Sequence, residues 1–174
     1  MLHNLQEAST VGEIGKNYQK IHAALEDRQV DHQSTIVEIE GIISNHTLAI
    51  LIDPGSTLSY ITPRMMELCQ LTKVRHVKPW LVQLATRAKM KVTNFIASCE
   101  VELQGNKTRI NLNILPLGSY DMIIGMDWLE RNKVILNCVS KTFTYIAEDQ
   151  ILRTVKGIPK PVSVRQIYAM QLKK

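Results

Sequence analysis

Residues 51–60 read LIDPGSTLSY. The aliphatic run Leu48–Ile52 stops abruptly at Asp53, and Pro54 and Gly55 follow directly. Apolar residues that close on a carboxylate in a Gly-containing bend describe a strand delivering an acid to a turn. Asp, Pro, Gly and Ser are also the common formers of ordinary turns. On these ten residues alone the ordinary turn is the commoner explanation. The neighbouring sequence has to decide between them.

The pattern on both sides is that of strands. "STIVEIEG" from Ser34 alternates, "ISNHT" turns through Asn45, and "LAILI" reads as a buried strand ending at Asp53. "TPRMMELCQL" follows as a short helix, with Thr62 as N-cap and Pro63 at its first position. "WLVQLATRAKMKVTNFIASCEVEL" places two strand-like runs around the small, polar tip Ala85–Lys89, which predicts a long hairpin. "QGNK" marks another turn, and "TRINLNILPL" sets Ile110, Leu112 and Ile114 on one face. "YDMIIG" is a short buried strand closed by Gly125, and "MDWLERN" gives one or two helical turns. "KVILNC" and "KTFTYIA" form a closing pair. Many short strands, frequent turns and one or two short helices define an all-β plan without internal repeats.

The flanks differ. In residues 1–33, Ile14, Tyr18, Ile21 and Leu25 stand at helical spacing, and Gly12 and Gly15 weaken the start, so this leader carries a marginal amphipathic helix. The segment 151–174 holds two prolines in "GIPKPV" and has no clear period, so it reads as a tail. The organisation expected is a leader over 1–33, one domain over 34–150 and a connector over 151–174.

Composition narrows the function classes. Of 174 residues 45% are hydrophobic and 21% charged, as in ordinary globular proteins. Lys and Arg number 21 against 16 Asp and Glu, a formal charge of +5. The basic residues are scattered and the few aromatics are not interleaved with them, so a solvated surface fits better than a nucleic-acid interface. Cys69, Cys99 and Cys138 are far apart, with no CxxC pair and no histidine at ligand spacing. They read as reduced, small hydrophobic residues of a cytosolic protein, with no metal and no cofactor expected. No apolar run reaches the roughly 18 residues of a membrane helix. Met1–Ser9 lacks the basic-then-apolar layout of a secretory signal.

Two elements now stand out together. One is Asp53-Pro54-Gly55-Ser56-Thr57 behind an apolar run. The other, about seventy residues later, is Met122-Ile123-Ile124-Gly125 leading into Met126-Asp127-Trp128-Leu129. In this order, with a hairpin between them, they resemble the retropepsin-like aspartic proteases. "LNILPLGSYDMIIGMDWLERNKVILNC" and "HVKPWLVQLAT" are similar, more closely, to the protease segment of plant gypsy-type LTR retrotransposon polyproteins, over residues 34–150 or so. The tail resembles the connector towards reverse transcriptase, and the leader resembles the stretch after the gag-derived region.

The resemblance implies a retropepsin-like acid-protease half-barrel. Asp53 matches the catalytic aspartate, in an active-site loop of Pro54, Gly55 and Ser56. Gly55 matches the glycine whose N–H helps hold the carboxylates. Ile123, Ile124 and Gly125 match the second glycine motif, which crosses behind that loop. The hairpin around Leu84–Val92 matches the substrate-covering flap, with Leu84, Ala85, Thr86, Arg87 and Ala88 at its tip. Asp127 matches a structural acid that begins the closing helix. The implied partners are a second copy of the chain, joined through the Asp53 loop, and an extended polyprotein peptide as substrate. The implied setting is a cytoplasmic retrotransposon particle.

The chemistry requires the second copy. Aspartic proteolysis uses two carboxylates that share one proton, one acting as base on water and the other as acid on the scissile carbonyl. The sequence holds a single Asp-x-Gly, so one chain supplies half of the pair. Two positions depart from the family. Pro54 stands where Thr or Ser is usual, and it offers neither hydroxyl nor N–H to a partner loop. The flap tip Ala85-Thr86-Arg87-Ala88-Lys89 has no glycine for a turn with positive φ. A different reading is thereby kept beside the enzyme: a catalytically silent, retropepsin-like interaction domain, monomeric or weakly dimeric.

Overall fold

The computed structural model describes residues 19–21, 37–84 and 87–159. In chain order the strands are β1 (Gln19–Ile21), β2 (Val37–Ile43), β3 (His46–Ile52) and β4 (Tyr60–Ile61), followed by helix α1 (Pro63–Leu68). Then come β5 (Val74–Leu84), β6 (Lys89–Leu103), β7 (Asn106–Ile114) and β8 (Met122–Ile124), followed by helix α2 (Met126–Arg131). β9 (Ile135–Asn137), β10 (Thr142–Ile146) and β11 (Leu152–Lys156) complete the described chain. The fold is mostly β with two short helices among the described residues.

Turn chemistry sets the register of the first hairpin. Ser44 and Asn45 have φ of 48° and 64°, and Ile43 pairs directly with His46. Left-handed conformations at both central positions match the twist of the flanking strands. Gln104 and Gly105, at φ 48° and 82°, do the same between β6 and β7. α1 starts as its sequence predicts, with the Met65 N–H donating to Thr62 Oγ1 at 3.3 Å and Pro63 in the first turn.

Six strands close a barrel in the order β6-β2-β3-β8-β4-β7, with β6 pairing back onto β7. β5 lies on β6 outside this ring and forms the long hairpin, and β1 runs parallel on its outer edge. β9, β10 and β11 make a separate three-stranded sheet.

The apolar runs are continuous because both faces of the central strands are covered. Ile50 and Ile52 of β3, with Met122 and Ile124 of β8, face the main core of Ile39, Leu48, Trp128, Phe143 and Tyr145. Leu51 and Ile123 face the other way, into a second cluster with Tyr60, Leu115, Leu117 and the hairpin residues Val82, Leu84 and Val92. Trp128 anchors α2, its ring 5.1 Å from Tyr145 and its indole N–H donating to Thr108 Oγ1 at 3.0 Å.

Two parts of the flanking expectation change. Gln19–Ile21, read as part of a helix, is a strand whose residues pair with Val82, Gln83 and Leu84. A short helix weakened by glycines is marginal in water, whereas the edge of β5 offers unpaired backbone groups. The remainder of that helix lies outside the described residues. The tail reading also gives way at its start, because Leu152–Lys156 pairs residue for residue with Lys156↔Thr142 to Leu152↔Ile146. Only Val155 of this edge strand is buried, so the sequence carries no alternation to mark it. Residues 160–174 are outside the described residues.

Candidate active site

β3 and β8 run parallel and in register, Ile52 beside Ile124. Both strands end at the same level, and the chain departs from each into a turn. The Asp53 N–H extends the ladder by donating to the Ile124 carbonyl at 3.0 Å. Asp53 is therefore held by the second apolar-Gly motif, although about seventy residues separate them in sequence.

The turn closes on itself. The Ser56 N–H donates to the Asp53 carbonyl at 3.1 Å, and the Gly55 N–H donates to Asp53 Oδ1 at 2.9 Å. Ser56 is buried and its hydroxyl donates to the Leu58 carbonyl at 2.7 Å. Asp53 retains only 6% of its surface. Pro54 and Gly55 are exposed, so the loop presents them outward.

Gly125 passes directly behind this loop. A Cβ there would meet the Leu58 carbonyl oxygen and would stand 2.7 Å from the Ser56 carbonyl oxygen. Both obstacles are backbone, so no side chain can swing aside. The Met126 N–H donates to Ser56 O at 2.8 Å and the Asp127 N–H to Thr57 O at 3.1 Å, which zips the two segments together.

Ser59, which sequence reading passed over, is the centre of the support. It is fully buried. Its hydroxyl accepts from the Gly125 N–H at 3.0 Å and donates to Asp127 Oδ1 at 2.6 Å, while its N–H donates to Asp127 Oδ2 at 3.2 Å. Asp127 Oδ1 also accepts from the Trp128 N–H at 2.8 Å, which sets a negative charge in the first turn of α2. The only sequence signal for Ser59 is a small hydroxyl residue between apolar Leu58 and Tyr60, a pattern shared by many strands. The Asp127 charge also bears on Tyr60, whose phenol is pushed up chiefly by burial and secondarily by that carboxylate.

The hairpin lies over the other face of β3 and β8. Leu84 packs in the cluster that contains Leu51 and Ile123. Leu84 N–H donates to Ala88 O at 2.8 Å and Arg87 N–H to Leu84 O at 2.9 Å, which closes the tip. Arg87 supplies the positive φ that the tip demands, at 66°. Ala85 and Thr86 lie outside the described residues.

An apolar cleft of about 270 Å³ opens beside the acid loop, lined by Ile52, Pro54, Met126, Leu129, Val134 and Leu136 with Glu130 and Lys133 at its rim. None of the three cysteines takes part. Cys69 and Cys99 are buried, and burial pushes the Cys99 thiol up to about 11. Such thiols are inert at neutral pH.

The structure thus places a buried acid on a turn, crossed by a glycine-bearing strand, in a closed six-stranded barrel. The family profile described as retroviral aspartyl protease matches residues 19–151, well over half of the chain. This chain belongs to the retroviral aspartyl protease family. Among solved structures it is similar to the retroviral protease-like domain of Ddi1 from Leishmania major, at 20% identity and TM-score 0.55, covering 72% of this chain and 95% of that one. At that identity the likeness concerns the fold. A more distant similarity, 12% identity and TM-score 0.35, is to the protein Lpg0085 (DUF785) from Legionella pneumophila, covering 54% of this chain and 84% of that one. No curated protein sequence matches this chain.

Proposed function

We propose that this chain is one half of a homodimeric aspartic endopeptidase that processes the polyprotein of an LTR retrotransposon. The observation that carries the reading is Asp53, buried at the end of β3, its carboxylate accepting from the Gly55 N–H and its own N–H donating to the Ile124 carbonyl. Asp53-Pro54-Gly55 is the single Asp-x-Gly of the sequence, so a dyad requires two chains related by a two-fold axis. One Asp53 then takes a proton from water while its twin donates one to the scissile carbonyl, and the attacking water oxygen adds to the carbonyl carbon. The pair titrates as a unit, since two close carboxylates cannot both ionise. Peptidase activity is accordingly highest on the acidic side and falls once the shared proton is lost.

Two surfaces support the dimer. Pro54 and Gly55 face outward, and the apolar cleft beside them would be covered by a second copy. The substrate is an extended peptide with apolar side chains around the cut, laid as a strand beneath the hairpin. The setting is the cytoplasmic particle of the element. The test is Asp53→Asn, which keeps the shape and removes the titrating group. Cleavage of an apolar-flanked peptide should vanish while circular dichroism stays unchanged. Undiminished turnover in the folded variant rejects Asp53 as the catalytic group.

Pro54 favours a second reading, a catalytically silent interaction domain, because its ring has no group to lock two loops across a dimer. Sedimentation at several protein concentrations separates the two: the enzyme needs a dimer, and the silent domain does not.

A further inference from the structure

His76 stands on β5 where its pairing with β6 slips between Arg75 and Trp80. The half-buried imidazole packs against two aromatic neighbours. Its ring stacks on Phe95 at 4.4 Å and lies 4.3 Å from Trp80, so it is held in one place. Its Nε2 is 2.9 Å from Asn113 Oδ1. Asn113 is a buried residue of β7, and its other amide atom, Nδ2, donates to the Ser59 carbonyl at 3.2 Å. The Asn113 backbone N–H donates to the same carbonyl at 2.9 Å. A carbonyl only accepts, so the amide orientation is determined: Nδ2 faces Ser59 and Oδ1 faces the histidine. His76 Nε2 must then carry a proton, in the neutral ring as in the charged one.

We infer that His76 and Asn113 are positioning residues, a hydrogen-bonded strut through which the base of the hairpin sets the glycine turn behind Asp53. The strut runs from His76 to Asn113 to Ser59, and the Ser59 hydroxyl accepts the Gly125 N–H. Next to Gly125, Ile124 receives the Asp53 N–H. Each link joins a different element, so the hairpin cannot shift at its base without moving a partner of the acid loop. A packed aromatic in place of His76 would fill the same space without making the link. The chemistry of the ring nitrogen, not its bulk, is what this position uses.

The inference rests on the peptidase reading for its kinetic arm alone. His76→Phe keeps the stack and removes the donor, whereas His76→Gln places an amide N–H near the Nε2 position. Asn113→Asp keeps the acceptor for His76 and breaks the link to Ser59. In full-length protein, the Gly125 and Asp127 amide resonances should move in His76→Phe and in Asn113→Asp, and return towards wild type in His76→Gln. The kcat for an apolar-flanked peptide should fall roughly three- to tenfold in His76→Phe, the span that a lost net hydrogen bond produces. KM should stay within about twofold, and His76→Gln should recover most of the rate. Unmoved Gly125 and Asp127 resonances in either folded variant overturn the strut. So does a raised KM at constant kcat, or a glutamine variant no better than phenylalanine. If wild-type protein shows no turnover, the peptidase reading fails, and the resonances alone decide the strut.

Discussion

The Asp53 N–H donates to the Ile124 carbonyl at 3.0 Å, so the acid-bearing turn and the Ile-Ile-Gly strand are one unit. Everything near the acid follows from this contact. β8 must run parallel to β3 to present that carbonyl, and Gly125 must lack a Cβ to let the Ser56 and Leu58 carbonyls pass. Ser59 then holds Gly125 from the far side.

Ser59→Ala should therefore destabilise the domain. It strips a partner from the buried Gly125 N–H and from the Asp127 carboxylate. Leaving buried polar groups short of a partner costs about 1–3 kcal/mol. Urea unfolding of wild type and variant measures the difference, and a loss below about 0.5 kcal/mol would remove Ser59 from its central place.

The thiols give an independent check of the packing. Cys69 and Cys99 are buried and Cys138 is exposed. Burial raises Cys69 and pushes Cys99 up to about 11, and both side chains are shielded from reagent. One thiol per chain should react quickly with a disulfide reagent at that pH, and three after denaturation. Two or three fast thiols in native protein would contradict the core around β6 and α1.

Much of this was legible in the sequence. The LAILI run marked β3 because both of its faces are covered, and the Asp-x-Gly after it marked the acid turn. Thr62 and Pro63 announced α1 through local chemistry alone. Ser59, Asn113 and His76 were not legible. Their roles come from contacts across 54 and 37 residues of sequence, which leave no local pattern. Gln19–Ile21 was misread because helical spacing says nothing about an open strand edge elsewhere.

Arg87→Gly tests the hairpin as a flap. A non-glycine residue at φ 66° bears about 1–2 kcal/mol of left-handed strain, and glycine removes it. Glycine's extra freedom in the unfolded chain returns roughly 0.5–1 kcal/mol. Stability should rise by no more than about 1.5 kcal/mol, while a tip that acts as a flap over a bound strand would change KM for a peptide severalfold. Val82, Leu84 and Val92 already pack one face of the hairpin. A sharp fall in Tm with KM unmoved would show that the tip, too, is packed structure and covers no substrate.

Pro54→Thr addresses the proposed dimer. Pro54 is exposed beside the acid and can neither donate nor accept through a hydroxyl. Threonine there could donate its hydroxyl proton to a carbonyl of the partner loop and accept the partner's N–H at the same position. By symmetry one substitution adds about four hydrogen bonds per dimer, roughly 2–6 kcal/mol at ~0.5–1.5 kcal/mol each. Losing the proline frees the unfolded chain by about 0.4–1 kcal/mol, which is smaller. The ring also leaves the rim of the apolar cleft formed with Ile52, Met126 and Leu129, and the threonine methyl replaces part of that contact. A tenfold change in dissociation constant needs only about 1.4 kcal/mol. Pro54→Thr should thus tighten the dimer at least tenfold and raise peptidase activity at low enzyme concentration. Sedimentation of both proteins side by side is the measurement. An unchanged or weaker dimer would mean that the Asp53 loops do not meet across a two-fold axis in this protein.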